Sequence, residues 1–281
     1  MTTEEERTDM KLSLTISSPG SPKAPILLRG DYAEKIVQAA KIGFRAVELH
    51  IRDPKAIDQK AILRTLEKTG VKVSTIGTGQ AYGEGRIFFA SPDERVRRAA
   101  IRRIKDQIDF ASELGAKVII GLIKGPLPEE GADKSIARER MVDCFRECAE
   151  YAQKANVQLP VEAINRYEAN FLNTAEDTER FVQEIGSPAM GIHLDTFHMN
   201  IEEISIEAAI ERHAKGLMHI HLADSNRRVP GMGHLDFRPI FAALRKIGYQ
   251  GYLGLECLPI PDGQKAAEHG FRYLEDLLSK I

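Results

Sequence analysis

The alternation of two hydrophobic periods along this chain never breaks, and it admits few folds. Short β-branched or apolar runs fall at residues 12–17, 46–51, 72–76, 117–122, 157–164, 191–196, 217–222 and 252–256. Between them, apolar residues recur at helical spacing over 32–42, 61–69, 93–114, 136–154, 178–185, 206–214, 238–247 and 264–279. The punctuation agrees with the periods. Ser91-Pro92-Asp93-Glu94 supplies a capping side chain, a first-turn proline and acidic residues at the positive end of a helix. Gly43, Gly70, Gly115, Gly186 and Gly248 stand where helices close before the next strand. A strand–helix–strand order requires parallel pairing through right-handed crossovers. Eight such units in 281 residues predict a closed (β/α)8 barrel, an α/β fold of about 250 residues, rather than a doubly wound sheet.

No Pro/Gly/Ser-rich linker divides the repeat. Residues 11–281 are therefore expected to form one catalytic domain behind a frayed acidic tail at 1–10, with Met10 as a second candidate start. The composition, 43% hydrophobic and 28% charged, excludes disordered and fibrous classes. A formal net charge of −2 without a basic segment argues against a nucleic-acid partner. No apolar run reaches the ~18 residues of a membrane span, and the polar start lacks a secretory core, so a cytoplasmic protein with no membrane partner is expected. Cys144, Cys148 and Cys257 are too few, and odd in number, for a disulfide framework and read as buried thiols.

The segments after the first, third, fourth and seventh strands are long: SPGSPKAPILLRG, GTGQAYGEGRIFFA, KGPLPEEGADKS and ADSNRRVPGMGH. Loops on that face of a barrel build active sites. Four strand ends in the second half deliver ligand-type side chains: Glu162 in PVEAIN, Asp195 with His198 in HLDTFH, His219 and His221 in HIHLAD, and Glu256 in LGLEC. Separations of 33, 26 and 35 residues each match one strand–helix unit, so Glu162, Asp195, His221 and Glu256 can converge at one mouth. Any one carboxylate there could be a buried hydrogen-bonding group. Three together would repel one another and be costly to desolvate, and one divalent cation relieves both costs. Three carboxylates with one imidazole suit Mn2+, Co2+ or Mg2+. His221 is preferred to His219 because it lies nearer the strand end. His193 and His219 read as core or supporting residues, and His50 as part of the wall.

The segments VEAINRYEANFLNT, DTFHMNIEE, HLADSNRRVPGMGHLDF and LECLP resemble the metal-dependent ketose 3-epimerases of the xylose-isomerase-like barrel group, over nearly the whole chain after the tail. IGTGQAY, GLIKG and TFHMNIEE look closest to the branch that interconverts 5-keto-L-gluconate and D-tagaturonate. The resemblance implies one bound divalent metal, Mn2+ by expectation, held by Glu162, Asp195, His221 and Glu256, with Glu162 and Glu256 as the acid–base pair. It implies substrate contacts from Glu168, His198 and Arg227, and it makes a dimer or tetramer plausible. Inverting a hydroxyl-bearing carbon beside a ketone means removing a weakly acidic C–H proton and returning one to the opposite face. A keto-acid would also need a cation for its carboxylate, for which Arg227, Arg228, Lys124 and Arg52 are candidates, Arg227 with the motif's support. Gln80 and Tyr82 are candidates for substrate hydroxyls or for closing the site.

Four other activities compete. A ketohexose 3-epimerase or a hydroxypyruvate-type aldose–ketose isomerase would share the chemistry and differ in substrate or in where the proton returns. A zinc endonuclease acting on abasic DNA shares the barrel but fills three metal positions with histidines from early strands, where this chain has Ile76-Gly77-Thr78 and Gly121-Leu122-Ile123. A glycosidase built on Glu162 and Glu256 leaves Asp195 and His221 unexplained.

Overall fold

Each of the eight apolar runs becomes a strand buried on both faces, because helices cover the outside and side chains fill the inside. The computed structural model describes residues 10–20, 24–83, 85–128 and 132–280, so the predicted tail, Met10 apart, lies outside the described residues, as do parts of the long loops after the first and fourth strands. The strands are β1 (Lys11–Ser17), β2 (Ala46–His50), β3 (Lys72–Gly77), β4 (Lys117–Ile119), β5 (Leu159–Glu162), β6 (Met190–Asp195), β7 (Leu217–His221) and β8 (Tyr252–Leu255). All pair in parallel, in the order β4-β3-β2-β1-β8-β7-β6-β5. Main-chain bonds from Ile120 to Pro160 (2.9 Å) and from Glu162 to Ile120 (3.1 Å) join the two ends, so the ring closes as the alternation predicts.

The outer helices are α1 (Tyr32–Ile42), α2 (Gln59–Thr69), α4 (Glu94–Leu114), α5 (Ala132–Lys154), α6 (Ala175–Ile185), α8 (Ile206–Arg212), α9 (Phe237–Lys246) and α10 (Gly263–Ser279). Two further helices stand in the mouth: α3 (Gly79–Gly83) and α7 (Thr196–Glu202). The sequence reading missed both, because five and seven residues are too few to establish a helical period. It also placed Leu28–Arg29 in a loop, whereas these two residues pair in parallel with Ile16 and Ser17 of β1. No helix of the described residues is long and apolar enough to cross a membrane.

The barrel interior is unusually polar for such a fold. Ser13, Thr15, Glu48, Ser74, Thr75, His193 and His219 are all buried. Ser13 and Ser74 share a 2.7 Å hydrogen bond across the interior, and Thr15 donates to the Leu255 carbonyl at 2.8 Å. Register irregularities fall between Val47 and Glu48 and between Ile192 and His193, where a bulge can re-aim a side chain. The apolar mass lies outside the ring, between strands and helices. There Phe89, Phe145, Phe181 and Phe171 form a chain of edge-on contacts at 5.1, 4.9 and 5.5 Å that ties α5 to α6. Phe145 is fully buried at its centre. Phe145→Ala is expected to lower unfolding free energy by about 3–5 kcal/mol, measured by denaturant titration.

Candidate metal centre and its cavity

A cavity of about 400 Å3 opens at the strand ends that carry the predicted ligands. Glu162, Asp195, His221 and Glu256 each bring one ligand atom into a cluster whose members all lie within 4.8 Å of one another. Asp195 is buried beneath, while Glu162, His221 and Glu256 line the cavity. The backbone accounts for much of this placement. Asp195 Oδ1 caps α7 by accepting from Phe197 N (2.8 Å), which leaves Oδ2 turned to the cluster. A Cβ on Gly121 would sit 2.5 Å from Glu162 Oε2, and one on Gly254 would sit 2.7 Å from His221 Cδ2. Glycine at those two positions makes room for the ligands.

The donor set fits a divalent cation. His221 Nδ1 is buried without a hydrogen-bond partner, 3.8 Å from Asp195 Oδ2 and 3.7 Å from Glu256 Oε2. Asp195 Oδ2 likewise has no hydrogen bond, although Arg227 Nη1 lies 3.1 Å from it as an ion pair. Burial pushes Glu162 up to about 8, and the Glu256 charge adds to the shift against His221. Burial also works against the Glu256 charge, but Arg227, bonded to it, and His221 hold it down to about 2. Burial likewise raises Asp195, against Arg227.

One residue that sequence reasoning missed is Glu48. It is wholly buried beneath the cluster, and a carboxylate there can only accept. His221 Nε2 donates to Glu48 Oε2 (2.9 Å), as does His219 Nε2 (3.3 Å), while His50 Nε2 donates to Oε1 (2.7 Å) and the Thr75 hydroxyl adds a short bond. Burial opposes the charge, but these imidazoles keep Glu48 well below the usual carboxylate range. Burial opposes a charge on His221, but Glu48 and Glu256 raise it well above its ordinary value in the metal-free protein. With Nε2–H tied to Glu48, Nδ1 is the nitrogen that would give up its proton to a cation, facing the other three candidate ligands. The only signal was a charged residue inside an apolar run, AVELH, at a position that alternation turns into the barrel.

The remaining sequence candidates divide. Glu168, His198, Arg227 and Gln80 line the cavity. Gln80 Oε1 is buried there without a partner. Arg227 Nη1 donates to His198 Nε2 (3.2 Å), and Asn165 Nδ2 lies 2.6 Å from His198 Nδ1. Burial and the neighbouring Arg227 hold His198 well below its ordinary value, so its ring is neutral. Buried Asp224, which the sequence did not single out, accepts from the backbone of Ser225, Gly231 and Leu235 and shapes the loop that presents Arg227. Lys124 does not reach the cavity: its buried Nζ donates to the Glu162 carbonyl (3.1 Å), and burial lowers it to about 8. Tyr82 lies with Lys124 on a smaller neighbouring cavity, edge-on to Phe88. Cys257 is buried against the Leu222 carbonyl, a packing thiol as read.

The pattern of the xylose isomerase-like TIM barrel matches residues 36–277. The chain belongs to that family. Among its relatives, a D-psicose 3-epimerase of Enterocloster bolteae is 34% identical over 245 residues, 85% of this chain and 80% of that protein. A 3-dehydro-D-guloside 4-epimerase of Escherichia coli is 28% identical over 79% of this chain and 86% of its own. A solved D-psicose 3-epimerase of Clostridium cellulolyticum, with D-tagatose, superposes with a TM-score of 0.80 at 25% identity, over 96% of this chain and 99% of the other. This xylose isomerase-like barrel thus carries the candidate four-residue cluster at the face where such barrels build their sites.

Two outcomes follow from this geometry. Removing the Glu48 charge frees the His221 ring to turn, so Glu48→Gln is expected to weaken Mn2+ binding about 10- to 100-fold by calorimetry. In metal-free protein, Glu162 holds its proton more tightly folded than unfolded. Its stabilising contribution is full below its ordinary value of 4.5 and is lost as pH rises toward about 8. A cation replaces that proton, so Mn2+ should raise the Tm more at pH 8 than at pH 6. Equal shifts would contradict the arrangement.

Proposed function

We propose that this chain is a metal-dependent epimerase that inverts the hydroxyl-bearing carbon beside the ketone of a keto-sugar, with residues 11–281 acting as one catalytic unit. The observation that carries the reading is the cluster of Glu162, Asp195, His221 and Glu256 at the floor of a sugar-sized cavity, with both glutamates facing it. The two relatives named above lend support: a 3-epimerase of a 2-ketose and a 4-epimerase of a 3-dehydro sugar both invert a carbon next to a carbonyl.

Glu162, Asp195, His221 through Nδ1, and Glu256 would hold one divalent ion, Mn2+ by preference. Such an ion supplies Lewis-acid stabilisation of the negative charge that develops on the ketone and its neighbouring hydroxyl oxygen. Glu162 and Glu256 act as opposed proton carriers, one removing the C–H proton and the other delivering one to the opposite face. Their environments already push them apart, Glu162 toward the acid and Glu256, beside Arg227, toward the carboxylate. Glu168, His198, Arg227 and Gln80 orient the hydroxyls, and the Lys124 ammonium fixes the backbone under Glu162. Within this class we favour a six-carbon keto-acid, the 5-keto-L-gluconate/D-tagaturonate pair, because IGTGQAY and GLIKG resemble that branch.

Partial reactions in D2O test the two-glutamate chemistry. Glu162→Gln and Glu256→Gln, each with metal content verified, are expected to lose epimerisation by about 10^3-fold. Each should still exchange the hydrogen of one epimer only. Epimerisation within tenfold of wild type in either variant would contradict the scheme, and deuterium entering at a terminal carbon would indicate an aldose–ketose isomerase instead.

A further inference from the structure

We infer that Arg29 is an anion subsite on the β1 side of the cavity, taking the terminal carboxylate of the substrate chain. This deepens the epimerase reading and rests on it for the identity of the substrate. Arg29 lines the cavity that holds the ligand cluster. Its backbone is anchored rather than loose: Leu28 and Arg29 pair with β1, Gly30 N donates to the Ser17 carbonyl (2.9 Å), and Leu27 and Leu28 are buried. Its one side-chain hydrogen bond among the described residues runs from Nη2 to the Ala24 carbonyl. A guanidinium carries five N–H donors, so most of them remain available.

The charge balance of the wall singles this residue out. Arg227 is already matched by Asp195 and Glu256. Arg29 forms no ion pair with any carboxylate among the described residues, and partial burial lowers its affinity for its proton with no acid nearby to offset the effect. The other cations the sequence offered stand elsewhere: Lys124 is behind Glu162, Arg52 lines a separate cavity beside α4, and Arg228 is off the cavity wall. In the ring, β1 adjoins β8, which leads to Glu256, and lies four strands from β5, which carries Glu162. A sugar chain held at the cluster by its ketone can therefore extend its far end toward Arg29. A single guanidinium matches a carboxylate in a planar, two-bond pairing. A phosphate dianion would call for further donors, and no second unmatched cation stands on that wall among the described residues.

The test compares substrates that differ only at the far carbon, using full-length, Mn2+-loaded protein. For Arg29→Gln, the ratio of kcat/KM on D-tagaturonate to kcat/KM on D-tagatose should fall about 10- to 100-fold, carried by KM, and Arg29→Lys should recover part of it. A ratio within twofold of wild type would overturn the inference. A larger loss on D-tagatose 6-phosphate than on the uronate would overturn the choice of carboxylate. Calorimetry with non-reacting D-galactonate and its neutral counterpart galactitol separates the two readings. Preferential galactonate binding that Arg29→Gln removes supports the subsite even if wild type epimerises neither sugar, an outcome that would sink the epimerase reading alone. Equal binding of the two would sink the subsite.

Discussion

The architecture of the site depends on one buried charge, the carboxylate of Glu48. A wholly desolvated carboxylate is costly unless its oxygens are fully hydrogen-bonded. Here three imidazoles and a threonine hydroxyl meet that demand. The consequence is directional: the charge commits Nε2 of His221 as a donor and leaves Nδ1 as a ligand atom aimed at Asp195 and Glu256. The edge-on packing of His193 against His221, with ring centres 4.2 Å apart, restricts the same ring from the side. A candidate metal ligand is thus oriented from below by charge and laterally by packing.

Main-chain features complete what Glu48 begins. Asp195 spends one oxygen on the start of α7 and turns the other to the cluster. A glycine just past β4 and one on β8 admit the Glu162 carboxylate and the His221 ring at distances that a Cβ would forbid. The ligand geometry is therefore distributed over four strands and their neighbours. That suits a rigid barrel better than a loop-built site.

The cavity above is organised by matching charges. Two carboxylates share Arg227, which lowers Glu256 relative to Glu162 and separates two chemically identical groups into different protonation tendencies. Lys124, buried behind Glu162, adds positive charge without lining the cavity. Arg29 is the exception to this matching, since among the described residues no carboxylate pairs with it.

The sequence alone determined the eight-unit barrel, since an unbroken alternation of periods leaves parallel pairing as the way to bury every strand on both faces. It also brought Glu162, Asp195, His221 and Glu256 together, because strand–helix spacing carries residues at successive strand ends to one mouth whatever the side-chain details. It could not supply Glu48 or Arg29. Glu48 matters through bonds to His50, His219 and His221 on β2 and β7, and Arg29 reaches the cavity because Leu28–Arg29 lies against β1. Nor could it separate Lys124 from Gln80, both in glycine-bearing loops, of which one is buried behind a ligand and the other lines the cavity. Which side chain meets which is set by closure of the ring, and local spacing carries no record of those contacts.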